Sequence, residues 1–173
     1  MKHTLLFLLM ICACTLQATA TGKQPRLTDD ELMTLVQKQT FRYFWDFAHP
    51  ESGLARERSN DRLEIATIGG SGFGVMAIIV GVERGFITRE QGAERLLKIV
   101  EFLNKADSYH GIWAHWMDGA TGKTIPFSRK DDGADLVESA FMFEGLLAAH
   151  QYFTHDNPTE TVSYTHLRAH ETL

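Results

Sequence analysis

Hydrophobic positions recur at helical spacing in four stretches of the chain, and the stretches differ in how far their apolar surface wraps round. The first follows Thr28 and Glu31, which fit a capping box: the threonine hydroxyl accepts a backbone N–H while the carboxylate reaches back to the cap. It predicts a helix to about Ala48, with Leu32, Val36, Phe44 and Phe47 on one face and Asp30, Thr34, Lys38 and Arg42 mostly elsewhere. The second, after Gly72, reads FGVMAIIVGVERG and is apolar nearly all round, which calls for burial on every side. Thr88 with Gln91 offers another capping box, and from there to Lys105 the residues Leu96, Leu97, Val100 and Leu103 oppose Arg89, Glu94, Lys98 and Glu101. The fourth runs from about Asp132 to Phe153 through Leu136, Val137, Ala140, Phe141, Phe143, Leu146 and Leu147, and has little polar surface beyond its first two turns.

Half-exposed and buried helices therefore alternate, and the connections alternate with them. About twenty residues separate the first two helices, a few around GFIT the next two, and about twenty-five the last two. Long connections in compact domains are usually functional, and in an up-down array both fall where the buried helices begin. The pattern predicts an all-α fold: two helical hairpins of a toroid with an inner and an outer ring, and a working face at one end. The second long connection contains IWAHWMDGATGKTIPF, which reads as a small β-hairpin turning at Asp118, Gly119 and Gly122. Alternation along such a strand puts Trp113 and His115 on one face and Trp116 on the other. A ring facing the cleft could stack on a sugar or merely close the loop, and both readings stand.

Two glycine-rich runs invite nucleotide-binding readings and fail them. In IGGSGFG, a G-x-G-x-x-G frame starting at Gly70 would put Val75 where the third glycine belongs. In MDGATGKT, Met117 takes the place of the first P-loop glycine, and Ile125-Pro126 follows where a helix should begin. The glycines before the second helix are better read as letting it start close to its neighbours, or as leaving N–H groups open to a ligand. His110, His115, His150 and His155 have neither a mature cysteine partner nor an H-E-x-x-H frame, so no metal site or other cofactor is expected. Arg56 and Arg58, in the first long connection, could bind substrate or a carboxylate, or be solvated surface charges.

Composition narrows the class. With 173 residues, 44% of them hydrophobic, and a net charge of −5, the chain fits one globular domain and not a nucleic-acid-binding one. Residues 1–20 carry a short basic start, an apolar run from Leu5 to about Leu16 and small residues at Ala18 and Ala20, the pattern of a signal peptide. Export to the periplasm or to an outer-membrane anchor is expected, the latter through a lipid on Cys14, since ICAC loosely resembles a lipobox. Both cysteines, Cys12 and Cys14, fall in this leader, so no disulfide framework is expected in the mature chain. Residues 161–173, TVSYTHLRAHETL, lack hydrophobic period and cap and read as an artefactual tail, which removes His166 and His170 from consideration.

The fourth helix opens with KDDGADLVESAF. At helical spacing Asp131, Asp135 and Glu138 fall within about 60° of one another and span about 10 Å, while Asp132 points elsewhere and suits an N-cap. The positive helix end accounts for Asp131 and Asp132, but its effect fades beyond the first turn and leaves Glu138 unexplained. Like charges crowded on an apolar element are tolerated where a polar cleft uses them.

Three strings, TFRYFWDFAHPESGLARERS, TIGGSGFGVMAIIVGVERGFITREQGAERLLKIVEFL and GIWAHWMDGATGKTIPFSRKDDGADLVESAF, together resemble the N-terminal part of the Bacteroidetes glycoamylase-like proteins. That glycoside hydrolase family contains endo-β-1,2-glucanases. The resemblance spans residues 28–160 and implies an incomplete (α/α)6 toroid with its cleft at the mouth of the inner helices. It implies an oligo- or polysaccharide substrate and sets the family's D-x-x-x-D-x-x-E spacing on Asp131, Asp135 and Glu138 as catalytic or subsite residues. Arg56, Arg58, Trp113, His115 and Trp116 are the substrate-binding candidates. The family's later hairpins carry further acids and are missing from this sequence, so the chain is expected to be inactive alone; a non-catalytic carbohydrate-binding helical protein is the alternative.

Overall fold

The computed structural model describes residues 26–60, 62–155 and 160. The leader, Cys12 and Cys14, and the tail at 161–173 lie outside the described residues. Two compact units divide the chain at Thr34 and Leu35, inside helix α1 (Asp29–Trp45). In the first unit the expected capping box is present: the Thr28 N–H donates to Glu31 Oε2 at 2.8 Å, and the Glu31 N–H donates to Thr28 Oγ1 at 3.3 Å.

The second unit continues through strand β1 (Ile65–Thr67), helix α2 (Ile68–Glu83), helix α3 (Arg89–Leu103), strands β2 (Ser108–Tyr109), β3 (Ile112–Trp113), β4 (Trp116–Asp118) and β5 (Thr124–Ile125), and helix α4 (Leu136–Tyr152). It is mostly helical, as the hydrophobic pattern predicts. The second capping box forms at Thr88 and Gln91, and α3 buries Leu96, Ile99, Val100 and Leu103. Helix α1 is shorter than its pattern suggests; its buried residue is Phe41, while Leu32 and Val36 stay exposed.

Helices α2 and α4 pack along each other at backbone contact. A Cβ placed on Gly72 would sit 2.2 Å from the Phe141 carbonyl oxygen, and one on Gly145 would sit 2.5 Å from that of Gly72. Glycine is required there because the main chains themselves meet. Ile68, Val75, Ile78, Leu96, Met142 and Leu146 fill the core around this contact. Burial on every side, expected of both helices, does not hold: Phe73, Met76 and Val80 on α2 and Leu136, Val137, Phe141 and Leu147 on α4 are exposed.

The β structure is richer than one hairpin. Strands β4 and β5 pair antiparallel about the Asp118–Gly122 turn, where Asp118 Oδ1 accepts from the N–H groups of Ala120 and Thr121. Strand β1 adds on the other side of β4, giving the order β1-β4-β5. Ile112 and Trp113 instead pair with Tyr109 and Ser108. The chain therefore breaks between Trp113 and Trp116, and the expected alternation of side chains across one strand does not apply. Among the described residues no helix is long and apolar enough to cross a membrane.

Candidate active site

The acidic segment meets the sheet at the start of α4. The expected helix start at Asp132 is four residues early. Asp135 is the N-cap, and its Oδ1 accepts from the N–H groups of Val137 at 2.9 Å and Glu138 at 3.0 Å. Long-range pairing decides this: the Asp135 N–H donates to the Trp113 carbonyl at 2.8 Å and Ala134 bridges to Ala114, which keeps residues 131–134 out of the helix. Ser139 strengthens the tie, accepting from the Trp113 N–H at 3.0 Å and donating to its carbonyl at 3.2 Å.

Asp131 consequently lies on no helix face. It closes a short turn with Ser128, and its carbonyl accepts from the Phe127 N–H at 2.9 Å. The turn nevertheless brings it to its partners, because ligating atoms of His115, Asp131 and Asp135 all lie within 4.8 Å of one another. His115 Nδ1 and Asp135 Oδ2 are 3.2 Å apart. Such a trio could gather a cation, but the imidazole–carboxylate hydrogen bond accounts for the closest pair by itself. Asp132 is exposed and caps nothing among the described residues.

Both oxygens of Asp135 are thus engaged. Partial burial pushes its carboxyl up, but hydrogen bonds from the Glu138 N–H, His115 and the Val137 N–H outweigh that and hold it below the ordinary carboxylate range. Asp131 differs: its carboxylate has no hydrogen-bond partner among the described residues. Glu138 is anchored at the mouth of α2, where its Oε2 accepts from the Gly69 N–H at 2.8 Å and the Thr67 hydroxyl at 3.2 Å. That N–H belongs to the first turn of α2, where amides lack helical partners and the dipole favours a negative group. Nothing in the local pattern signalled Thr67 and Gly69, since their partner lies about seventy residues away.

The remaining candidates separate. Trp113 is 2% exposed and packs on Phe143 within the core, and Trp116 is 9% exposed beneath Phe127 and Arg62. Arg56 is consumed by the first long connection, donating to the carbonyls of Phe47 and Leu63 while lying over the Phe47 ring. Arg58 pairs with Glu57 at the surface. Among the described residues neither arginine makes an ion pair with the acids of α4. His115 is brought to the acids.

No family model matches the chain. It is 54% identical over 135 residues to the exo β-1,2-glucooligosaccharide sophorohydrolase (non-reducing end) of Parabacteroides distasonis, which covers 78% of this chain and 19% of that protein. Among solved structures, the endo-β-1,2-glucanase of Chitinophaga pinensis, in a sophorotriose and glucose complex, is 50% identical with a TM-score of 0.80, over 84% of this chain and 36% of that one. A Bacteroides uniformis structure described as a candidate glucoamylase is 78% identical with a TM-score of 0.83, over 85% of this chain and 36% of its own. The chain thus spans about a fifth to a third of the length of the relatives it matches. At such identities the chain is homologous, in sequence and in fold, to part of these glycoside hydrolases of the Bacteroidetes.

Proposed function

We propose that this chain is the carboxylate-bearing part of an exported hydrolase of β-1,2-linked glucan. The observation that carries the reading is the meeting of Asp131, Asp135 and His115 at the start of α4, with Glu138 held one turn on by α2, in a chain 54% identical to a sophorohydrolase. Glycoside hydrolysis needs one carboxyl to protonate the leaving oxygen and a second to activate water or attack carbon. Asp135, held ionised with both oxygens occupied, is a poor proton donor; it caps α4 and orients His115. Asp131, with a free carboxylate, and Glu138, whose position the first turn of α2 sets, are left to carry the chemistry. The exposed apolar face of α2 and α4 is where further helices of a toroid would pack, and without them the cleft is open and the chain inactive alone.

The test is a fusion of residues 28–155 to the remainder of the Bacteroides uniformis relative, assayed for reducing ends released from β-1,2-glucan. Asp131→Asn and Glu138→Gln are each expected to lower turnover by about 100-fold or more. Unchanged turnover in both would remove the assignment. Saturable glucan binding by the fusion with no cleavage would favour a non-catalytic binding protein instead.

A further inference from the structure

The tryptophans of the second long connection are buried, yet one aromatic ring beside the acids is not. Phe127 is 46% exposed. It is also well fixed: its N–H is bonded to the Asp131 carbonyl, and its ring lies 4.3 Å from that of His115 at 33° and 4.7 Å from that of Trp116 at 55°. Two tilted rings, those of His115 and Trp116, pack against the phenyl ring, and nearly half of Phe127 remains exposed. Through His115 and Asp131 the ring is one contact away from both carboxylates of the cluster.

A β-glucopyranose has equatorial hydroxyls and axial C–H groups on both faces, so its faces are apolar and its rim polar. An aromatic ring next to carboxylates matches that division, since the negative π-face attracts the C–H groups while the acids take the hydroxyls. We infer that Phe127 is the platform on which one glucosyl unit of the substrate stacks, adjacent to Asp131; this rests on the glucan reading above. Trp116 and His115 act as the backing that holds the platform and need not touch sugar. A fixed ring also loses little conformational freedom when ligand arrives, which favours binding.

The experiment is a titration of sophorotriose into the 173-residue chain, followed by the aromatic and amide NMR signals of the protein. Saturable shifts are expected at Phe127, His115 and residues 128–131. Phe127→Leu, which keeps apolar bulk without a π-face, should raise the dissociation constant about 3- to 10-fold, and Phe127→Tyr should restore it. Binding by the unsubstituted chain that Phe127→Leu leaves unaltered overturns the platform and spares the glucan reading. Failure of Phe127→Tyr to restore binding also overturns it. An unsubstituted chain that shows no saturable shifts overturns the platform, whereas the glucan reading is overturned by the fusion assay above.

Discussion

Replacing Gly72 by alanine is the sharpest test of how α2 and α4 are held. The new Cβ would lie 2.2 Å from the Phe141 oxygen, 2.5 Å from its carbonyl carbon and 2.7 Å from the Met142 nitrogen. All three are backbone atoms of α4, so no side-chain rotation relieves the clash. Reaching ordinary contact needs a separation of about 1 Å, and a gap of that order forfeits a quarter to a half of the dispersion well of each pair pulled apart. Overpacking costs about 1–3 kcal/mol, and a rigid obstacle puts this site at the upper end. Helix propensity returns about 1 kcal/mol, since alanine is the better helix former. The expected net loss is about 2 kcal/mol, read as a fall of about 1 M in the urea midpoint at unchanged slope. Gly133→Ala, with nothing within 4 Å of its Cβ, is the control and should stay within about 0.5 kcal/mol. A Gly72→Ala protein as stable as its parent would refute the close approach, and with it the account of why glycines lie in α2.

Gly69→Ala separates stability from function, because its Cβ would meet the movable carboxylate of Glu138 at 2.6 Å; the unfolding free energy from urea titration should change by less than about 1 kcal/mol while turnover in the active fusion falls at least about tenfold. Asp135→Ala should cost about 1 kcal/mol by urea titration through loss of the cap, whereas Asp135→Asn, a good cap residue, should keep most of it. The Asp135 carboxyl titrates below its unfolded value, so its stabilising contribution is complete above about pH 4 and lost as pH falls through the lower folded value. Thermal melts from pH 6 to pH 2 should therefore fall less steeply below pH 4 in Asp135→Asn than in the parent.

What was legible in the sequence was local. Each capping box joins residues three apart, so Thr28 with Glu31 and Thr88 with Gln91 could be read directly and both are present. The turn at Asp118–Gly122 was legible for the same reason. The start of α4 was not, because Asp131, Asp132 and Asp135 are all competent caps and the choice falls to the Asp135–Trp113 hydrogen bond, twenty-two residues apart in sequence. The alternating pattern runs Trp113 into the strand that contains Trp116, yet Ser108 is its partner. Phe127 sits in a stretch with no hydrophobic period, so nothing distinguished it from other loop aromatics.

Asp131 shows how a grouping can hold while its reason fails. Helical spacing placed it on a stripe with Asp135 and Glu138, but it is outside the helix and meets Asp135 and His115 from a turn. The turn fixes it by backbone bonds alone, through Ser128 and Phe127, so its carboxylate owes nothing to the fold and stays free among the described residues. Asp135, by contrast, spends both oxygens on holding α4 and His115. Neighbouring acids of one motif are thus divided between structure and availability, and the division follows from where the helix begins. A start at Asp132 would have made Asp132 the cap and left Asp135 unengaged. The long-range Trp113 contact that shifts the start is therefore what decides which carboxylate is left open to a substrate.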